Sequence, residues 1–495
     1  MVTSHREILK SSSIVGGAQA ITYVVGLLRT KAVALLLGPS GVGLVGLYVS
    51  AIGLVGTFAQ FGINESGVRE VAAAAGTNNS ERVAATAKTL RRICWASGIF
   101  GWVLTVALAW PLAKWTFGSP EHAWAIAILG SAVLLDLVCG GQRALLQGVR
   151  RIGDLARMQI ASAIIATVLS VSVYWCLGQD GILPVIILTS LVQLGTSWWF
   201  SRRIELAPVR QTWSETWHNS LVLFRLGSAF MYSALLAGAV GLAIRALIVR
   251  DLGIEAAGIY QAAWALSGMF GAFVLQAMGT DFYPRLTAAA SDDSQVTKLV
   301  NEQMEVGMLL TLPVVLAAIA LAPLIMQLFY SSEFVCAAVP MQLFLPGVLG
   351  QTLSWPIGMV LSAAGSTFWI YFTRTHGAVL QILLTNVLLG VAGISGAAWA
   401  FSIYVWIQGF VVFLVVRKTS NLVLSRSVCV IGVASVLLCA TSLLASGSMT
   451  QPLGNVAALI LLIPVAVACL RQLAIRIGPE GRLGRLLHRK VSLGR

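Results

Sequence analysis

Apolar stretches long enough to cross a bilayer recur along this entire chain, separated by short polar breaks. A helical span needs about 20 mostly apolar residues. Fourteen such stretches can be read, with approximate cores at 12–37, 42–63, 93–113, 122–140, 158–178, 182–200, 220–249, 257–280, 304–329, 338–362, 367–388, 396–416, 427–446 and 453–473. Composition agrees, with 57% hydrophobic and 11% charged residues and a mean hydropathy of +0.85. Inside hydrocarbon, only helices and closed barrels satisfy every backbone polar group. A barrel would show segments of about ten residues in strict alternation, and runs such as Ala161 to Tyr174 do not alternate. The expected fold is an all-α polytopic membrane protein.

A net charge of +14 would suit a nucleic-acid partner, but the placement of the basic residues argues against one. Of the 33 lysines and arginines, Lys114 and Arg250 fall at outer span ends, and Arg29, Lys31, Arg225 and Arg245 fall within spans. The other 27, counting Arg374 near the start of the eleventh stretch and Arg471 at the end of the last, fall with alternate inter-span segments, on one side. That asymmetry is the positive-inside rule, and it predicts a cytoplasmic membrane protein with both termini in the cytoplasm. The basic stretch from Arg482 to Arg495 either lies on the anionic inner leaflet or stays solvated as a topogenic tail. Ile14 to Leu37 is too long for a cleaved signal segment, so the first helix is expected to remain. The seven cysteines include no CxxC or Cys/His spacing, and neither a disulfide, a metal site nor a cofactor is expected.

The chain also resembles itself. A shift of 215 residues places Val25, Gly26 and Leu27 on Val240, Gly241 and Leu242, and Leu37 and Gly38 on Leu252 and Gly253. Gly43 then meets Gly258, Gly53 meets Gly268, Gly56 meets Gly271, Phe58 meets Phe273, and Ala73 to Ala75 meet Ala288 to Ala290. Two copies of a six-helix unit follow, at 1–201 and 220–418, with a cytoplasmic linker at 202–219, an extra helix pair at 419–475 and a basic tail at 476–495. An even number of spans per copy makes the copies parallel. Parallel repeats are a secondary-transporter architecture, with substrate at the repeat interface and access alternating between the two faces.

Three cations sit at membrane depth: Arg29, Lys31 and Arg245. Each costs roughly 2.5 to 3.5 kcal/mol on insertion scales, so they must face a watery cavity or a partner. In the repeat register Thr30 corresponds to Arg245, so Arg29 and Lys31 flank the equivalent position. All three lie on the outer halves of their helices, about 7 to 12 Å past the midpoints. Two residues on a helix subtend about 200°, so Arg29 and Lys31 share one cavity only if the helix bends. Gly26, one turn earlier, is a candidate kink. Arg29 and Arg245 are the first choices for a substrate site, and Lys31 is the third, with a stem long enough to snorkel. The alternative for all three is snorkelling with structural pairing to helix carbonyls.

Several phrases resemble a known family. Leu36-Leu37-Gly38-Pro39-Ser40-Gly41-Val42-Gly43, Phe61-Gly62-Ile63-Asn64-Glu65-Ser66 and Asp281-Phe282-Tyr283-Pro284-Arg285-Leu286 are similar to the Wzx-type flippases. These belong to the superfamily of multidrug, oligosaccharidyl-lipid and polysaccharide exporters. Ser332-Glu333-Phe334, Leu345-Pro346-Gly347-Val348-Leu349 and Ser354-Trp355-Pro356-Ile357-Gly358 resemble the same polysaccharide branch. The resemblance covers about residues 8 to 418. It implies movement of an undecaprenyl-diphosphate-linked oligosaccharide from the inner to the outer leaflet of the bacterial cytoplasmic membrane, for O-antigen, exopolysaccharide or a related surface glycan. It also implies a polysaccharide polymerase and chain-length machinery as partners, beside the membrane lipids. Guanidinium groups match phosphate oxygens with paired donors, which suits such cargo. The last two helices depart from the common twelve-span pattern and would serve the lipid tail or a partner.

Competing readings are a drug antiporter and a membrane glycosyltransferase or polymerase. Cationic drugs call for acids in the cavity, and Asp136 is the one deeply placed carboxylate in the predicted spans. It is a candidate coupling or gating residue, or else a structural partner of Arg143 two turns on. Glu65 and Asp281, at cytoplasmic ends, are further gating candidates, and Glu305 reads as a surface or hinge pair. Short outer loops and the lack of HExxH, DxD or a glycine-rich phosphate loop argue against catalysis and against ATP as the energy source. Trp213 and Trp217, one turn apart, suggest a short interfacial helix in the linker, which reads equally as a plain loop. Pro313, Pro323, Pro340, Pro346 and Pro356 mark candidate bends. Arg374 and His376 enter the second lobe if the eleventh span begins early.

Overall fold

The computed structural model describes the backbone of residues 2–77, 79–289, 292–448 and 453–477. These form α1 (Val2–Gln60), α2 (Ile63–Ala75), α3 (Ser80–Phe117), α4 (Ala123–Gly148), α5 (Ile152–Leu177), α6 (Ile182–Ser201) and α7 (Trp213–Leu252). There follow α8 (Ile254–Ala288), α9 (Asp293–Ala320), α10 (Ala322–Phe329), α11 (Ala338–Ala363), α12 (Thr367–Ser420), α13 (Arg426–Ser448) and α14 (Leu453–Ile477). The described residues contain no strand.

Among the described residues, nine helical segments are long and apolar enough to cross a membrane. Three are of double length: Gly17–Gln60 with 44 residues, Ile152–Ser201 with 50 and Thr367–Ser420 with 54. At 1.5 Å per residue each runs past about 60 Å, twice the hydrocarbon thickness. Each is interrupted near its middle, at Gly38, at Gly178 and at Ala392–Gly393. Read as two crossings apiece, and with α8 and α14 added, they match the fourteen spans expected. Some helix starts carry side-chain caps. Asn79 accepts from the backbone N–H of Glu81 and Arg82 at α3, and Thr212 and Glu215 close a capping box at α7.

The 215-residue shift superposes not only residues but element boundaries. Ala123–Gly148 maps onto Ala338–Ala363, and the start of α5 at Ile152 maps onto that of α12 at Thr367. The breaks match too. Gly38 (φ 63°, ψ −172°) pairs with Gly253 (φ 90°, ψ 174°), and Gly178 (φ 55°, ψ −130°) with Gly393 (φ 57°, ψ −139°). These left-handed conformations favour glycine, which lacks a Cβ to clash. Even packing partners correspond: a methyl on Gly56 would meet Val133 at 3.7 Å, and one on Gly271 would meet Val348 at 2.9 Å.

One of the contacts between the repeat copies is itself symmetric. A methyl on Gly43 would overlap the carbonyl of Ile254, and a methyl on Gly258 would overlap the carbonyl of Pro39. Pro39 and Ile254 are themselves repeat partners, so exchanging every residue for its counterpart returns the same contact. Backbone therefore lies on backbone where α1 crosses the first turn of α8.

The chain divides into two compact units, Met1–Gly258 with Phe329–Ser331, and Ile259–Leu328 with Ser332–Arg495. The division falls one helix past the linker at 202–219, because α7 packs against α1, α2 and α3 of the first unit. In that unit an apolar core of Ile52, Ile126, Leu129, Val133 and Ile186 binds α1, α4 and α6. In the second, Phe282, Val300, Ile357, Val416 and Val428 join α8, α9, α11, α12 and α13.

Some local expectations change. No residue near Gly26 departs from helical geometry, and the break in α1 comes at Gly38 instead. Pro313, Pro346 and Pro356 lie inside continuous helices, while Pro323 follows the interruption between α9 and α10. The linker holds no separate interfacial helix, since Trp213 opens α7 itself. Nor does it swing free. Lys88 donates to the Val209 carbonyl at 2.8 Å, and Arg92 to the carbonyls of Gln211 and Thr212 at 3.0 and 3.2 Å and to Thr216 Oγ1 at 2.8 Å.

The last helix pair is held to α9 by polar groups. Asn301 donates to the Val423 carbonyl at 2.8 Å and accepts from the Ser425 N–H at 2.7 Å. Glu305, expected at a surface, is buried and ion-paired with Arg476 of α14. Arg476 also donates to Ser427 Oγ at 2.9 Å. Arg476→Met should leave Glu305 buried without its counter-ion and loosen the pair, costing about 2 kcal/mol after allowance for Arg476's partial exposure. Thermal melting of the detergent-purified protein reads this. The double variant Glu305→Gln/Arg476→Met should recover most of the loss.

Candidate substrate site in the first unit

The first unit gathers polar groups on α1, α4, α5 and α6. Arg29 projects from α1 toward α6 and donates to Thr189 Oγ1 at 3.2 Å. It is half-buried, and the buried Tyr174 hydroxyl of α5 lies within its electrostatic reach. Next along α6, the buried Ser190 faces Asp136 of α4. Asp136 also interacts with Arg143, two turns on in the same helix, as the spacing suggested. The Asp136 side chain remains exposed. Consecutive hydroxyls of α6 thus address a cation from α1 and a carboxylate from α4. Below them, Ser197 donates to Gln142 Oε1 at 2.6 Å and ties α6 to α4 again.

A guanidinium directed at a neutral hydroxyl keeps its positive charge available. It has five donors, and Thr189 takes one of them. An oxyanion arriving beside Arg29 would meet a fixed cation with hydroxyls around it, which is the composition of a phosphate site.

The other sequence candidates fall elsewhere. Arg245 on α7 donates to the carbonyl of Gly241, one turn below, at 2.8 Å. Gly241 is the repeat counterpart of Gly26, and its missing side chain makes room, because a methyl there would sit 3.1 Å from the guanidinium. This carbonyl pairing is the structural alternative foreseen for the set. α1 packs directly on α7, and Arg29 donates to Thr189 while Arg245 donates to the Gly241 carbonyl. Lys31 is half-buried. With no bend at Gly26 it points about 200° away from Arg29. The side chains of Glu65, Asp281 and Arg225 lie outside the described residues.

In the second unit, His376 Nδ1 lies 2.9 Å from Gln408 Oε1, and Gln408 donates to the Thr373 carbonyl at 2.7 Å. Gln408 is the repeat counterpart of Gln193, one turn after Thr189. Arg374 is exposed and interacts with Tyr404, the counterpart of Thr189. Thr189, Ser190 and Tyr174 gave no sequence signal, since isolated hydroxyls are common in membrane helices. Only the placement of Arg29 identifies them.

Comparison with known proteins agrees with this fold. The family described as polysaccharide biosynthesis protein matches residues 32–339. No curated protein matches the sequence. Among solved structures, the chain is similar to the lipid II flippase MurJ in an inward closed conformation, with a TM-score of 0.68 at 13% identity, covering 94% of this chain and 99% of that one. It is also similar to an inward-facing multidrug resistance MATE transporter of the MOP superfamily, with a TM-score of 0.59 at 15% identity over 81% and 94% of the two chains. A MOP superfamily transporter from Pyrococcus furiosus, described as having a binding pocket of reverse polarity, gives 0.52 at 16% identity over 80% and 98%.

Proposed function

Because the chain belongs to the polysaccharide biosynthesis protein family, we propose that it is a flippase moving an undecaprenyl-diphosphate-linked oligosaccharide between the leaflets of the bacterial cytoplasmic membrane. The observation that carries this reading is Arg29, a cation at membrane depth that donates to a neutral hydroxyl, that of Thr189. Its charge is left for a diphosphate headgroup, which cannot cross hydrocarbon alone. The site is exposed first to one face of the membrane and then to the other, while the polyprenyl tail stays in lipid. The charge asymmetry supports an orientation with both termini in the cytoplasm. O-antigen and exopolysaccharide precursors are the cargo classes, and Arg245 and Lys31 are further cations along the path.

The second reading, ion-coupled drug export, draws on the likeness to multidrug transporters and on Asp136. The two separate in proteoliposomes. A flippase should move a fluorescent diphosphate-linked oligosaccharide and leave a lipophilic dye cation untouched. Dye transport without glycolipid transport would reverse the assignment. Asp136→Asn should slow glycolipid flipping about tenfold if this carboxylate couples transport to protons, and the residual rate should no longer respond to an imposed pH gradient. An unchanged gradient response would restrict Asp136 to a structural role.

A further inference from the structure

The repeat supplies an internal control for the basic loops. The turn after α4 and the turn after α11 are built alike. Arg150 N–H bonds the Gln147 carbonyl at 3.1 Å and Arg151 N–H bonds the Leu146 carbonyl at 3.0 Å. In the second copy Gly365 bonds Ser362 at 3.3 Å and Ser366 bonds Leu361 at 3.1 Å. This is a Schellman cap, whose left-handed position favours glycine. Gly365 has φ 64°, and Arg150 adopts φ 58° at the same place. The first copy therefore keeps an arginine where the backbone asks for glycine.

More arginines surround it. Val149 and Ile204 pack on one apolar cluster of α2, α3 and α4, which brings the two ends of the α4–α6 stretch together. Arg151 donates to the Arg203 carbonyl at 3.0 Å. The Arg202 guanidinium carbon sits 4.7 and 3.8 Å from the ring centres of the exposed indoles of Trp198 and Trp199, and that of Arg203 sits 4.7 Å from the Phe200 ring centre. A guanidinium held over an aromatic face can still offer N–H donors to an oxyanion. Asp154 bridges Arg151 and Arg157 at 3.6 and 3.7 Å, and Glu205 is nearby in sequence, so the corner stays net positive.

The second copy holds Arg417 and Lys418 at the positions of Arg202 and Arg203, but Gly365, Ser366 and Phe372 at those of Arg150, Arg151 and Arg157. Topology alone accounts for the shared pair. It does not account for an arginine at 150 in a backbone conformation that favours glycine, nor for the concentration of arginines in the first copy alone. Exposed indoles beside arginines are the residues of a lipid–water interface. We propose that this corner of the first copy is a binding site for the phosphate headgroup of an anionic phospholipid in the adjacent leaflet, a site that does not depend on the cargo proposed above.

The test uses the full-length protein in detergent, titrated with phosphatidylglycerol or phosphatidylcholine and read by native mass spectrometry. Arg150→Gly/Arg151→Ser copies the second repeat's cap into the first. It should weaken phosphatidylglycerol binding about thirtyfold, the attraction of two basic residues, and leave phosphatidylcholine unchanged. Arg150→Gly alone relieves the backbone, so it stays folded even if the double variant loosens, and should weaken binding about fivefold. Unchanged phosphatidylglycerol affinity in Arg150→Gly would overturn the site. Displacement of phosphatidylglycerol by an equal concentration of inorganic phosphate would also overturn it, by showing a free-anion site.

Discussion

Alanine at position 29 is expected to abolish glycolipid flipping while the protein inserts at normal levels. Arg29 supplies charge-assisted hydrogen bonds, each worth about 1.5 to 3 kcal/mol, and two bonds to a diphosphate amount to a loss of more than a hundredfold. Lysine should restore part of the rate, because charge survives but paired donors do not. Thr189→Val should cost less, roughly three- to tenfold, since the hydroxyl aims the guanidinium and does not carry its charge. Arg245→Ala should also abolish flipping if the path passes α7. In all of these the measurement is initial flipping rate in proteoliposomes, normalised to folded protein. Wild-type rates for Arg29→Ala would remove the basis of the proposed site.

A single methyl at position 258 is expected to be as damaging, through the fold. The Cβ of Gly258→Ala would overlap the Pro39 carbonyl and lie 3.0 Å from the Gly43 nitrogen. Those atoms belong to the backbone of a long helix and cannot rotate aside, so the cost lies at the upper end for overpacking, about 3 kcal/mol. Gly43→Ala meets the carbonyl of Ile254 and should behave alike. The repeat provides the control. Gly53 and Gly268 are also counterparts, and a methyl on either finds no atom within 4 Å. Alanine there should be neutral or stabilising by up to about 1 kcal/mol, from helix propensity. Folded yield and melting temperature after detergent extraction distinguish the two pairs. Equal tolerance of alanine at 258 and 268 would refute the close crossing.

Periodicity and self-similarity exposed most of this architecture in the sequence. Apolar length fixed the crossings, and the self-match paired Gly38 with Gly253, which are the matching breaks, while Gly26, the candidate kink, stays helical. Interactions between sequence-distant groups were hidden. Arg476 read as the start of a basic tail, yet it meets Glu305, and nothing local to either residue signals the other. Lys88 and Arg92 read as orientation signals, and they also clamp the linker through carbonyls, which every residue possesses. Arg29 was conspicuous by its cost in a bilayer. Its partner was not, because threonine in a membrane helix usually bonds its own backbone.

The Glu305–Arg476 pair has an evolutionary corollary. Glu305 belongs to the duplicated twelve-helix body, and its counter-ion belongs to the appended hairpin. A lineage that shed the hairpin would strand an acid in the protein interior, so the two positions should change together. Aligned homologues ending after twelve helices should carry an uncharged residue where this chain has Glu305, and acid should reappear there only in chains that keep a basic partner near the end of a fourteenth helix.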